Sequence, residues 1–349
     1  MADRKKVLIV RFSALGDVAM TVPVVYSVCR SNPDVDFVMV TRPLHASVMI
    51  YAPDNLQIVP VKLEDYKGIG GLRRLFRELY AEHRFSAFAD LHNVLRTKVL
   101  ALHCRLHGIP VAQLKKTRAR RRALVRHHNK LMLPLASQRK RFREVFLRLG
   151  FAVEERYDSL YGSDKGGYEQ FSHITAPKSV DECWIGIAPF AKHSGKTYPI
   201  DQMRKVVETL AQEPSNKIFL FGGNEEKEVL NQWVAMSPER IVCVAGQDRG
   251  LPAEIALLSH MDAVVSMDSA NMHLASIVRV PVVTVWGATH PYCGFRGYKQ
   301  SEKTDVQLSM ACRPCSIFGN KPCRRGDYLC MTAITPQSIV DKINSIIKK

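Results

Sequence analysis

The residues Val265 to Leu274, V-S-M-D-S-A-N-M-H-L, limit what this chain can fold into more than any other stretch. They follow the apolar run Ala263, Val264, Val265 and lead into Met272, Leu274, Ala275, Ile277 and Val278 at helical spacing, so the pattern predicts strand, tight turn, helix. Asp268 and Ser269 fall where a helix N-cap belongs, which turns the unpaired N–H groups from Ala270 onward toward the carboxyl edge of a sheet. An anion can bind there, and in an open α/β sheet ligands collect at that edge. His273, one turn in, is within reach of a phosphate. An ordinary capped helix in a βα unit has the same pattern, so this stretch alone does not decide between the two.

A second signal lies near the start of the sequence. R-F-S-A-L-G-D-V, residues 11 to 18, follows the strand run K-V-L-I-V and opens a helix expected to carry Val22, Val25, Tyr26 and Cys29. Gly16 is expected to permit a sharp turn, and Asp17 falls in the first helical turn. A carboxylate there either complements the helix dipole or stands ready for proton transfer.

Runs at 6–12, 37–41, 57–61 and 85–91 alternate with helical patterns near 18–30, 44–51, 69–83 and 94–107. After a polar, Gly/Ser-bearing stretch at about 158–180, read as a linker, W-I-G-I-A-P, K-I-F-L-F-G-G, I-V-C-V-A-G, A-V-V-S-M and P-V-V-T-V-W-G alternate with helices in the same way. Such alternation specifies parallel sheets covered on both faces, here in two domains over 1–170 and 171–349. A chain of 349 residues, 46% hydrophobic, is long enough for two cores. The final segment, T-P-Q-S-I-V-D-K-I-N-S-I-I-K-K, reads as an amphipathic helix able to pack back across the domains.

The net charge of +17 is concentrated. Twelve Lys/Arg and no Asp or Glu lie between Lys115 and Arg143, among them Arg118, Arg121 and Arg122. Such a strip suits a polyanion. Single-strand nucleic-acid binders interleave aromatics with their charges, whereas only Phe142 occurs here, so no nucleic acid is expected as partner. An anionic lipid surface fits better. No apolar run approaches the ~18 residues of a membrane span. The few apolar residues before Arg11 are too short for a signal core, so a cytoplasmic protein is expected. Nine cysteines without an export signal point to reduced thiols. Cys312, Cys315, Cys323 and Cys330 are spaced C-x2-C-x7-C-x6-C, compatible with either a zinc knuckle or free thiols.

Two motifs mislead. A-P-F-A-K-H-S-G-K-T ends like a phosphate-binding P-loop, but Phe190 replaces its first glycine and Pro199 prevents a long helix from starting at Lys196. Lys196 is better used as a point charge on a diphosphate, with Lys192 beside it. D-V-D at 34–36 precedes a strand, whereas a metal-binding pair would follow one. Gly222 and Gly223 end a strand, where a nucleoside can approach the backbone.

In order and spacing, the F-S-A-L-G-D-V turn, the basic segment, K-T-Y-P at 196–199, the D-S-A-N-M-H-L turn and the Cys-bearing tail resemble the bacterial lipopolysaccharide heptosyltransferases, glycosyltransferase family 9. The resemblance implies a GT-B fold, two Rossmann-like domains facing across a cleft, and inverting transfer of heptose from ADP-heptose to the lipopolysaccharide inner core. No metal or other cofactor is then required. It implies that Asp17 is the general base and that Lys192, Lys196, Gly222, Gly223, Asp268, Ser269, Ala270 and His273 hold the donor. Ser13, Gly16, Arg118, Arg121 and Arg122 would hold an anionic lipid or glycan acceptor at the inner membrane leaflet, with the enzyme a peripheral monomer. In similar enzymes an acidic residue after the glycine pair contacts the nucleoside; here Asn224 precedes Glu225 and Glu226. The alternatives are a relative using another nucleotide sugar and glycan, and a non-catalytic polyanion-binding protein.

Overall fold

A computed structural model describes residues 4–247 and 249–347 as two compact units. The first comprises residues 4–116 and 136–162, and the second residues 117–135 and 163–347 apart from position 248.

The first unit holds five parallel strands, β1 (Lys5–Val10), β2 (Val35–Thr41), β3 (Leu56–Pro60), β4 (Ala87–Asp90) and β5 (Val111–Gln113), in the order β3-β2-β1-β4-β5. Val7 faces Phe37 on one side and Ala87 on the other. Residues 7–10, 37–41 and 87–90 are buried without alternation, as expected for strands covered on both faces. The second unit holds β6 (Cys183–Ala188), β7 (Asn216–Leu220), β8 (Ile241–Cys243), β9 (Ala263–Met267), β10 (Val282–Trp286) and β11 (Asp305–Gln307), also parallel, in the order β11-β10-β9-β6-β7-β8.

In each sheet the strand order reverses beside the first strand. The chain builds outward from β1 through β2 to β3, then returns to lay β4 and β5 on the opposite side; β6 likewise lies between β7 and β9. The turns leaving β1 and β4, or β6 and β9, run to opposite sides and open a crevice at the carboxyl edge. The two informative turns follow β1 and β9.

Several sequence expectations need correction. The helix after Asp17 is two helices, Leu15–Ala19 and Val22–Ser31, because Pro23 has no N–H to continue the first and the N–H groups of Val24 and Val25 turn to the Thr21 carbonyl instead. Gly16 sits inside the first of these, so the turn is made by the extended backbone of Ala14 and needs no glycine freedom. The stretch at about 158–180 is not a free linker: Phe171 is buried, with its ring 4.9 Å from that of His260 and 6.4 Å from that of Trp184. The C-terminal helix, Pro336–Ile347, buries Ile339, Val340 and Ile343 in the core of the second unit, against the helix Ile200–Ala211 and β9 to β11. Lys348 and Lys349 lie outside the described residues. Among the described residues no helix is long and apolar enough to cross a membrane.

The Cys-bearing loop is fixed by Arg313, 3% exposed, whose guanidinium donates to the carbonyls of Trp286, Gly287, Thr289 and Leu308 and to the Gln307 side chain. Lys130, from the basic segment, donates to the carbonyls of Ala311, Cys312 and Pro314 at 3.1, 2.7 and 3.0 Å. Replacing Arg313 with Met should strand these buried acceptors and lower stability by about 3 kcal/mol, read from chemical denaturation; a loss under about 1 kcal/mol would show that water replaces the guanidinium.

Candidate active site

In the first unit the crevice is lined from β1 and β4. Asp17 is the third residue of its short helix, and its Oδ2 lies 2.7 Å from the Arg11 guanidinium and 3.4 Å from the Ala14 N–H. Arg11 is buried, donates to the Leu91 carbonyl, and lies over the Phe142 ring with 5.4 Å to its centroid. Asp17 is 28% exposed against 5% for Arg11, so this ion pair presents its carboxylate. Both contacts fall on Oδ2, which leaves Oδ1 as the oxygen offered to a ligand.

From β4, the buried Asp90 accepts from the N–H groups of His92 and Asn93 at 2.9 and 2.7 Å and from the Gln113 amide at 2.8 Å. This fixes the L-H-N turn, with Asn93 in the left-handed region that Asn tolerates, and sets His92 Nε2 3.4 Å from Ser13 Oγ. Arg11, Asp90 and His92 were not singled out from sequence. An Asp ending a strand, followed by a His two residues on, is the signal that would have found them.

In the second unit Lys196 follows β6 and Asp268 follows β9. The Lys196 turn is a single 3-10 turn, Ser194–Lys196, and the next helix starts at Ile200 after Pro199, so no P-loop forms. Tyr198 anchors the turn: it is fully buried, its hydroxyl donates to the Ile334 carbonyl at 2.7 Å, and its N–H points to the Met267 sulfur at 3.4 Å. Gly195 and Gly319 are required by close approach, since a Cβ on Gly195 would lie 2.9 Å from the Gly319 carbonyl oxygen and one on Gly319 would lie 2.5 Å from Lys196 Cγ.

Lys196 Nζ stands 2.9 Å from Asp268 Oδ2, at an angle too oblique for a hydrogen bond. Here the exposures are reversed: the carboxylate is 4% exposed and the ammonium 15%, so the pair presents its cation. Ser269 is the N-cap of the helix Ala270–Ile277, yet its side chain makes no cap bond and its hydroxyl lies 3.2 Å from that of Ser266. The first-turn N–H groups thus have no acceptor from the cap residue, the state in which a helix start takes an anion. Ser269, Ala270 and Asn271 are half-buried, and His273 is buried one turn in.

The remaining sequence candidates are spread out. Lys192 is exposed. Glu226 accepts the Gly223 N–H, and its Oε2 would lie 3.1 Å from a Cβ on Gly222. Asn224 Oδ1 would lie 2.8 Å from a Cβ on Gly246, which places Asn224 against the loop after β8. Arg118, Arg121 and Arg122 are on the helix Arg118–Val125, which belongs to the second unit; Arg118 and Arg122 are exposed, while Arg121 lies over the Phe318 ring at 5.3 Å. Cys312, Cys315, Cys323 and Cys330 line one cavity of about 160 Å³ with Lys130 and Arg313. Among the described residues no three His, Cys, Asp or Glu side chains are grouped so as to hold a metal ion.

The glycosyltransferase family 9 (heptosyltransferase) profile matches residues 72–323. The chain belongs to glycosyltransferase family 9. It is 22% identical over 98% of its length to lipopolysaccharide heptosyltransferase 1 of Pseudomonas aeruginosa, 98% of which is covered. Among solved structures it is similar to Escherichia coli ADP-heptose LPS heptosyltransferase II, with a TM-score of 0.71, 17% identity and 98% of each chain covered. It is also similar to E. coli heptosyltransferase WaaC with ADP-2-deoxy-2-fluoro heptose, with a TM-score of 0.65, 16% identity, and 97% and 99% covered. The fold is accordingly GT-B, built of two Rossmann-like units, and the protein is a glycosyltransferase.

The His92 imidazole is pushed down to about 4, chiefly by burial and next by the Arg11 charge, so it is neutral at neutral pH. An unfolded histidine titrates near ~6.5. Between these values the unfolded chain binds more protons, so stability should fall as pH drops from about 6.5 to about 4 and level off below. His92→Gln should make that fall shallower in thermal midpoints taken across the range, and an unaltered profile would place the imidazole in water.

Proposed function

We propose that this glycosyltransferase moves heptose from ADP-heptose to the lipopolysaccharide inner core, onto a Kdo–lipid A or heptosyl acceptor at the inner membrane leaflet, with inversion and without a metal or other cofactor. The observation that carries the reading is the Lys196–Asp268 pair beside the open helix start at Ala270, at the crevice between β6 and β9. The relatives named for ADP-heptose and for lipopolysaccharide supply the sugar and acceptor class.

The donor diphosphate rests on the N–H groups that follow Ser269, and Lys196 turns from Asp268 to a phosphate oxygen. Asp268 has no place against a phosphate; it holds the ammonium until the donor arrives. Asp17 Oδ1 takes the proton of the acceptor hydroxyl. The new C–O bond forms at the anomeric carbon as its bond to the diphosphate oxygen breaks, and ADP leaves with that electron pair. One displacement inverts the centre. The charge gathering on ADP meets a lysine and a helix start, which supply the stabilisation a divalent ion gives in other enzymes. Exposed Arg118 and Arg122 attract the anionic acceptor.

Two variants test the two roles. Asp17→Asn should slow transfer by about 10² to 10⁴ with donor affinity unchanged; single-turnover rates within about threefold of wild type would remove Asp17 as the base. Lys196→Ala alone leaves a buried carboxylate unpaired, so the informative protein is Lys196→Met with Asp268→Asn. It should fold normally and bind ADP at least about tenfold more weakly by calorimetry; wild-type affinity would move the diphosphate elsewhere.

A further inference from the structure

The helix Leu95–Leu106 buries Thr97, Leu100, Ala101 and Cys104 against the first unit. Its other side carries three leucines in water: Leu95 is 79% exposed, Leu102 54% and Leu106 72%. At ~100° per residue these three fall within about 40° of one another, a single stripe opposite the buried face. Exposed Lys98 and Arg105 border the stripe on one side and exposed Arg96 on the other. No Asp or Glu occurs between Asp90 and Glu144, so the helix carries no charge of the opposite sign.

Single exposed leucines need no explanation, but three in register between cations do. A partner protein would meet such a stripe with its own apolar groove and acidic rim. A bilayer with anionic headgroups meets it without any specific groove: leucines enter the acyl boundary and cations stay at headgroup level, the arrangement of an interfacial helix. We infer that the Leu95–Leu102–Leu106 stripe, with Arg96, Lys98 and Arg105, seats this protein on an anionic lipid surface. This deepens the proposed function by naming the element that meets the membrane, yet its evidence is the helix itself and not the donor or acceptor residues. Attraction by the cations draws the protein to the surface and weakens with salt, whereas the leucines give the attachment that survives it.

The test is sedimentation of the full chain with vesicles of phosphatidylcholine alone or with roughly one-third phosphatidylglycerol at physiological salt. Wild type should bind the mixed vesicles and not the zwitterionic ones. Leu102→Glu with Leu106→Glu should bind the mixed vesicles at least about tenfold more weakly, and Leu102→Ser with Leu106→Ser should weaken binding by a smaller factor. Both should keep the wild-type thermal midpoint and the wild-type shift on adding ADP, so loss of membrane binding is read separately from any failure of the proposed donor site. Equal vesicle binding by both leucine variants would overturn the inference, as would a wild type that ignores anionic vesicles. A wild-type dimer in sedimentation velocity that the glutamate variant splits would overturn it too, by showing that a second copy covers the stripe.

Discussion

The reversal of strand order in a parallel sheet is the constraint on which everything else here depends. Right-handed crossovers return each chain segment to the same edge, so carboxyl ends accumulate there, and only where neighbouring strands send their continuations to opposite sides is there room for side chains to converge on a ligand. In the first unit that position lies between β1 and β4 and gathers Arg11, Ser13, Asp17 and His92. In the second it lies between β6 and β9 and gathers Lys196 and Asp268.

At both positions the chain sets one cation against one carboxylate, and burial decides which of the two is left accessible. A buried arginine fixes a partly exposed aspartate in one unit; a buried aspartate fixes a more accessible lysine in the other. A long, planar, permanently charged side chain suits the buried role in the first pair because its remaining donors can be used on backbone, as Arg11 does with Leu91. A lysine suits the accessible role in the second, since a compact ammonium can swing from one anion to another.

Much of this was legible in the sequence because the central strands are largely apolar runs, and because Asp268 directly follows one of them while Asp17 opens the helix after another. The edge strands β5 and β11 were not, since V-A-Q and D-V-Q are too short and too polar to make an apolar run, whereas β8, equally short, lies in the apolar run I-V-C-V-A-G. Nor was the break in the first helix, where the apolar pattern runs on through Thr21 and Pro23 while the hydrogen bonds do not. The pairing of Lys196 with Asp268 spans 72 positions and follows from sheet order alone. His92 was missed because what positions it, the Asp90 carboxylate, works through backbone N–H groups that leave no periodic trace.

The membership of residues 117–135 in the second unit makes that unit discontinuous, and the polypeptide passes between units at 116/117, 135/136 and 162/163. No single cut therefore yields two whole pieces. A fragment beginning after residue 162 keeps all six strands of the second sheet but loses Lys130 from the carbonyls of Ala311, Cys312 and Pro314 and Leu135 from that of Tyr292. The loop carrying Arg313 thus draws part of its support from a segment made well before it, so a nascent chain holds an unfinished C-terminal unit until its last third emerges.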